Sequence, residues 1–237
     1  MLLFLVGVIF FTFILVRKSP EILNFLKLIC KRKAPFHIFK IGISGKIGSG
    51  KSTLADNLEK LFLERNFMVY QRNFADELKQ FVAQQYQFDV SLCYDQQGKN
   101  KIVKNGKTVG QLLQEVGTAK REIDANFWVQ AVDLYIGQKS SADAIEQLVS
   151  KGYQGVFFII SDVRFENEAN WLGDQLLVRL EGDPGNIAAQ TNRNKMHISE
   201  TALDDYKFFD LVLNTEIYDA GECAKKVFEC FSNKITL

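Results

Sequence analysis

Histidine is scarce in this chain: His37 and His197 are the only two among 237 residues, too few for a histidine-built metal centre. The four cysteines, Cys30, Cys93, Cys223 and Cys230, are scattered and form no C-x-x-C pair. That spacing supports neither zinc ligation nor a disulfide framework, and fits reduced thiols in a cytosolic domain. An excess of one charge is missing as well. Lysine and arginine number 29 against 28 acids, a net charge of +1, which gives no basis for a protein that coats nucleic acid. What is present is apolar: 47% of residues are hydrophobic, enough to bury a sizeable core in one α/β domain with a short extension.

The extension has its own character. Met1 to Val16 is almost purely apolar, with Thr12 the one polar interruption, and Arg17 and Lys18 follow at once. As a helix it would span roughly 24 Å, short of a hydrocarbon core of about 30 Å, a gap that snorkelling basic residues can close. No basic stretch precedes the run and no small-x-small site follows it, so a membrane anchor fits better than a cleaved signal. Lys27, Lys31, Arg32 and Lys33 place the following chain on the cytoplasmic side. Between them, Ile22, Leu23, Phe25, Leu26 and Ile29 suit a basic amphipathic helix on the membrane surface. The competing readings are a poorly ordered tail and a start codon upstream of the working protein. The expected division is therefore a hydrophobic, basic segment over 1–34, contacting the membrane through 1–33, and a globular domain over 35–237.

After Pro35, residues His37 to Ser44 read as a buried strand. Gly45-Lys46-Ile47-Gly48-Ser49-Gly50-Lys51-Ser52 then matches G-x-x-x-x-G-K-[ST] at each required position. Thr53 to Arg65 follows with helical spacing, Leu54, Leu58, Leu61 and Leu63 being interleaved with charges. Strand, loop and helix come in the order that a phosphate-binding loop requires. Glycines let backbone N–H groups converge on a phosphate, and the helix turns its positive end to the same anion. Gly45, Gly48, Ser49, Gly50, Lys51, Ser52 and Thr53 are the expected nucleotide-facing set, with Lys51 on the β- and γ-phosphates of ATP and the Ser52 hydroxyl on Mg²⁺. There is no N-K-x-D to read guanine and no L-S-G-G-Q of a transporter ATPase, and the chain is short for a helicase core. A small kinase remains.

The element order agrees. Strands are expected at 67–73, 155–160, 175–181 and 209–213, and helices at 76–86, 109–116, 127–136 and 222–231. Such alternation implies a three-layer α/β/α sandwich on a parallel five-stranded sheet, a P-loop kinase architecture with the hydrophobic N-terminal helix added. Ligands then gather at the carboxyl ends of the strands. Asp162, after the central strand, stands where a Mg²⁺-holding acid would, and Arg164 two residues on suits a phosphate clamp. Asp76 and Lys79, three apart, share a helix face; they read equally as substrate contacts or as a helix cap beside a solvated lysine. Trp128 reads at least as well as core. Gly117-Thr118 reads as a helix-ending turn. The polar stretch 94–107 reads as a surface hairpin turning at Asn105-Gly106 or as a recognition insert. The polar stretch 182–207 holds Arg193, Lys195 and His197 and suits a lid that excludes water.

Five segments together resemble the deoxynucleoside monophosphate kinases of phages and large DNA viruses: GKIGSGKST, FADELK, LLQEVGTAKREIDANFWV, SDVRFENEA and HISETALDDYKFFDLVLNT. They run in the family's order from about residue 38 to 215. The N-terminal apolar segment departs from that family, whose members begin close to the first strand. The resemblance implies that Asp76 and Lys79 lie beside the acceptor monophosphate. It implies that Arg121 and Trp128 wall that acceptor, with Arg121 on its phosphate, and that Asp162 and Arg164 lie between donor and acceptor. Arg193 and Lys195 would be lid cations. His197, Ser199 and Glu200 match an H-x-S-E element whose role does not follow from the residues.

The expected activity is ATP- and Mg²⁺-dependent phosphorylation of a (deoxy)nucleoside monophosphate, in the cytoplasm or tethered there by the N-terminal helix. A kinase acting on dephospho-coenzyme A or phosphomevalonate shares the chemistry and differs in the acceptor pocket. A membrane-tethered module that binds nucleotide with little turnover is the reading from another class.

Overall fold

A computed structural model describes residues 35–103, 106–187 and 198–235. The hydrophobic 1–34 segment, and with it the expected N-terminal helix and membrane contact, lies outside the described residues, as do Arg193, Lys195 and His197. Among the described residues no helix is long and apolar enough to cross a membrane. The described part of the chain from His37 onward belongs to one compact unit, the second of two into which the chain divides.

The second unit is built on five parallel strands. They are β1 (His37–Gly45), β2 (Phe67–Gln71), β3 (Gly155–Val163), β4 (Leu176–Glu181) and β5 (Leu211–Asn214), in the spatial order β2-β3-β1-β4-β5. Parallel neighbours need crossovers. Here these are α1 (Lys51–Leu63) after β1, and α2 (Phe74–Tyr86), α3 (Gln96–Lys99), α4 (Val109–Ile123), α5 (Phe127–Lys139) and α6 (Ala142–Ser150) between β2 and β3. After β3 come α7 (Glu166–Trp171), α8 (Ile198–Thr201) and the closing α9 (Ala220–Ile235).

Side chains alternate across each strand. On one face Phe39, Ile41, Ile43, Phe157, Ile159, Val178 and Leu213 pack against Leu54, Leu58 and Phe62 of α1 and Val227 and Phe231 of α9. Phe157 is the centre of that layer. Its ring lies 3.7 Å from Phe62, 4.8 Å from Phe39, 4.9 Å from Phe231 and 5.2 Å from Phe67, by centroids. On the other face Phe158 stacks on Tyr70, which meets Tyr135 of α5 edge-on. The three layers expected from the element order are therefore present.

Several boundaries differ from the sequence expectation, each for a physical reason. β3 continues through Ser161, Asp162 and Val163, so these are strand residues rather than a turn after it. The pairing with β1 slips between Gly42 and Ser44 and resumes at Ser44 opposite Val163. α2 starts at Phe74, where Asn73 and Asp76 form a capping box. α4 runs through Gly117 and Thr118 to Ile123, so no turn ends it there. Stretch 94–107 is divided: α3 occupies its first part, and further on Ile102 bridges Thr108 antiparallel and Val103 N–H donates to the Lys107 carbonyl at 2.9 Å, while Asn105 of the expected turn lies outside the described residues.

Phe157→Ala removes the ring that four other phenylalanines enclose. It is expected to lower unfolding free energy by about 3–5 kcal/mol in denaturant titration. A loss under about 1 kcal/mol would show that this layer does not carry the fold.

Candidate active site

Because all five strands are parallel, their carboxyl ends lie along one edge, and the segments after β1, β2, β3 and β4 meet there. The segment after β1 is the glycine loop. Gly48 and Gly50 take φ of 83° and 81°, a left-handed backbone that side-chain-bearing residues rarely adopt. A Cβ on Gly48 would also stand 2.1 Å from the Asp183 carboxylate. Gly50 is the N-cap of α1 and, having no side chain, bonds none of the helix's first N–H groups; no acid lies in the first turn. A 13-residue helix thus begins with its positive end uncompensated, and Ser52 and Thr53 are exposed beside it. Ser49 is fully buried beneath the loop.

Lys51 curls over this loop. Its ammonium donates to the carbonyls of Gly45 at 2.8 Å and Lys46 at 2.7 Å, and to Ser49 Oγ at 3.4 Å. Burial, and then the nearby Arg164 and Arg179 charges, push its pKa down to about 8, against the pull of Glu200 and Asp162. A cation held this way is poised to exchange carbonyl dipoles for an anion.

Arg164 follows β3. Its guanidinium donates to the Ser199 carbonyl at 3.0 Å and forms a close ion pair with Glu200. The other carboxylate oxygen of Glu200 accepts the backbone N–H of Ile47, in the glycine loop, at 3.0 Å. Burial alone would raise the Glu200 pKa; the Arg164 charge and these hydrogen bonds hold it below its ordinary value. Arg179, on β4, donates to Ser44 Oγ at 3.0 Å and to Asp204 at 3.1 Å. Asp204 also receives Lys46 at 2.8 Å. Ser44, Gly45, Arg164, Arg179, Ser199 and Glu200 line one crevice at the strand ends.

Asp162 faces the β2 side. Its two oxygens accept the N–H groups of Phe74 at 3.0 Å and Ala75 at 2.8 Å, which caps the start of α2 and docks it on β3. Asn73 strengthens the joint by accepting from the Ser161 N–H at 2.8 Å and hydroxyl at 3.0 Å. Burial raises the Asp162 pKa, opposed by those two N–H groups and by Arg164. On α2, Asp76 accepts the Asn73 N–H at 3.2 Å and pairs with Lys79 at 3.0 Å, so the cap and the shared helix face are both realised. The Lys79 ammonium sits 4.1 Å above the exposed Tyr94 ring.

Arg121 reaches Glu168 at 3.4 Å and lies over the Phe165 ring at 4.7 Å. Glu168 is 2% exposed and also accepts the N–H groups of Arg164 at 2.8 Å and Phe165 at 3.2 Å. It therefore ties Arg121 to the backbone that carries Arg164. Trp128 is 2% exposed, edge-on to Phe81 and Phe127, and its indole N–H donates to the Gly117 carbonyl at 3.4 Å. It is a core residue between α4 and α5.

The structure thus gathers Lys51, Arg164 and the glycine loop at one point and Asp162, Asp76 and Lys79 along the start of α2, while Arg121 is tied through Glu168 to the backbone of Arg164. Three residues here escaped the sequence reading. Arg179 was hidden in the apolar run Leu176–Glu181, although a lone arginine in a buried strand is itself a signal. Glu168 and Asp204 lie inside two of the resembling segments, where no role was read for either.

No family model matches the chain. Over 119 residues it is 34% identical to an uncharacterized protein, ORF77, of Ictalurid herpesvirus 1 (strain Auburn). That match takes in 46% of this chain and 43% of that protein, so the chain spans less than half the length of the relative. Among solved structures it is similar to the Mycobacterium tuberculosis APS kinase CysC in complex with AMPPNP and APS, at 12% identity and TM-score 0.39, covering 83% of this chain and 98% of that one. It is similar to shikimate kinase from Aquifex aeolicus vf5, at 13% identity and TM-score 0.40, covering 83% and 99%. It is also similar to dephospho-CoA kinase from Campylobacter jejuni, at 17% identity and TM-score 0.33, covering 82% and 98%. At such distances none of these bears on what the chain acts on. The P-loop architecture stands on the chain's own strand order and loop.

Burial, and then the Asp162 charge, raise the Glu168 pKa to about 7 from an ordinary 4.5, against the Arg164 and Phe165 N–H groups and Arg121. The folded protein therefore binds more protons than the unfolded chain between those values. This contribution to stability is fully present below about pH 4.5 and is lost as pH rises through 7. Glu168→Gln should flatten that part of the profile when thermal unfolding is followed from pH 5 to 8. Superimposable wild-type and variant profiles would contradict it.

Proposed function

We propose that this chain transfers the γ-phosphoryl group of ATP to the phosphate of a nucleoside monophosphate, a deoxynucleotide by the sequence resemblance. The observation that carries the phosphotransferase reading is the convergence of Lys51 and Arg164 on an uncapped helix N-terminus behind a left-handed glycine loop. An anion is the ligand that such a corner stabilises. The acceptor reading rests on the five sequence segments above, and α2 supports it by lining the neighbouring strand ends with Asp76 and Lys79.

In this reading the loop N–H groups and Lys51 hold the β-phosphate, and Arg164 meets the transferred group. Ser52 is exposed at the first turn of α1 and suits direct ligation of Mg²⁺. The Asp162 oxygens each already accept an N–H, so their remaining lone pairs suit bonding to metal-bound water. Bound Mg²⁺ would supply charge neutralisation across the β- and γ-phosphates. An acceptor phosphate oxygen forms the new P–O bond as the bond from the γ-phosphorus to the bridging oxygen breaks, and ADP leaves with that electron pair. The acceptor is already anionic near neutral pH, so no strong general base is required. The work of the site is positioning and charge neutralisation.

Full-length protein with ATP, Mg²⁺ and a panel of ribo- and deoxynucleoside monophosphates should release ADP in a coupled assay and form the matching diphosphate. Dephospho-coenzyme A and phosphomevalonate belong in the panel, and turnover confined to either would replace the acceptor. Lys51→Ala should lower turnover by at least about a thousandfold while the protein stays folded. Unchanged turnover in that variant would sink the assignment.

The low Lys51 pKa adds a second outcome. Bound phosphates favour the ammonium, so above about pH 8 ATP must bring a proton with it. The ATP dissociation constant should then rise by about tenfold per pH unit above that point. A flat affinity from pH 7 to 10 would show that Lys51 does not meet the phosphates.

A further inference from the structure

The element containing Ser199 and Glu200, for which sequence offered no role, touches the glycine loop in an unexpected way. Glu200 is an acid placed among the groups expected to bind phosphate. One carboxylate oxygen accepts the Ile47 N–H of the loop at 3.0 Å, and the other pairs with Arg164. Lys51 feels its charge as well. Its side chain is 8% exposed, so these contacts are sheltered from water. A backbone N–H and an arginine on the two oxygens of one anion, with a lysine charge near by, is the arrangement that a phosphate would make. Four residues on, Asp204 repeats the pattern at the rim, binding Lys46 at 2.8 Å and Arg179 at 3.1 Å.

We propose that Glu200 is a phosphate placeholder: it occupies a phosphate oxygen's position in the nucleotide-free protein and must yield Ile47 and Arg164 when ATP binds. The inference rests on the nucleotide-site reading above and deepens it. Without an anion, three cations and a helix N-terminus would face one another at the strand ends, and like charges in a partly buried site repel strongly. Glu200 offsets that repulsion and keeps Arg164 extended towards the loop. ATP then exchanges one anion for another, so part of its binding energy goes into detaching the segment 198–206 from the loop. Arg164 is released to the incoming phosphate at the same moment. Glu200 is in this sense a positioning residue that couples phosphate occupancy to the segment that carries it.

The test is calorimetric titration of MgATP into full-length wild type, Glu200→Gln, Glu200→Asp and Asp204→Asn, with hydrogen–deuterium exchange of residues 198–206. Glu200→Gln should bind MgATP about tenfold more tightly, the worth of one charge-assisted hydrogen bond no longer displaced. Glu200→Asp keeps the charge but shortens the reach, and should also bind more tightly than wild type. Exchange at 198–206 should rise in wild type when MgATP is added, and should already be high in Glu200→Gln without it. Equal or weaker binding by both Glu200 variants, with wild type binding normally, would overturn the proposal. So would equal gains in Glu200→Gln and Asp204→Asn with none in Glu200→Asp, because that pattern is a general field effect. Absence of MgATP binding by wild type would instead overturn the nucleotide-site reading on which the proposal stands.

Discussion

Between Gly45 and Lys51 the chain passes from the central strand of the sheet, buried from Ile41 to Gly45, into a helix with no side chain available to cap it. β1 is held on both sides, by β3 and by β4, so the position of the loop is fixed by two ladders of backbone hydrogen bonds. The left-handed glycines at 48 and 50 turn the backbone within that fixed frame. The outcome is a rigid positive corner, and much of the polar chemistry around it answers that demand. Lys51 is kept close by loop carbonyls, Arg164 by Glu200, and Arg179 by Ser44 and Asp204.

The same edge of the sheet shows how α2 is joined to the strand that carries Arg164. Asp162 caps α2 through Phe74 and Ala75, and Asn73 grips Ser161. Any shift of the β3 end therefore moves α2, with Asp76 and Lys79 upon it. Glu168 makes a second link, from Arg121 on α4 to the backbone of Arg164. Buried carboxylates are costly unless bonded. Both acids meet that cost by capping helix starts, which makes them connectors between elements as well as charges near the site.

Much of this was legible in the sequence because the signals were local. The glycine loop is a contiguous motif, and the alternation of apolar runs with helical spacing gave the parallel sheet and its covering layers. What escaped depended on contacts between distant positions. The continuation of β3 through Ser161 and Asp162 looked polar and terminal, yet pairing with β1 resumes after a register shift that no local pattern announces. Gly117-Thr118 looked like a stop, but the helix continues, with the Trp128 indole bonded to the Gly117 carbonyl and Leu78 of α2 packed against Gly117. Arg179 was hidden in an apolar strand, and its partners lie 135 and 25 residues away. Glu200 was visible as part of a motif, but its meaning came only from the 153 residues that separate it from Ile47.

The central claim is that the corner at the end of β1 recognises the β-phosphate of an adenine nucleotide. Equilibrium titration of the full-length protein with AMP, ADP and ATP in the presence of Mg²⁺ tests it most directly. ADP and ATP should bind at least about a hundredfold more tightly than AMP, because AMP lacks the group that the loop and Lys51 hold. Equal affinity for all three would contradict the account.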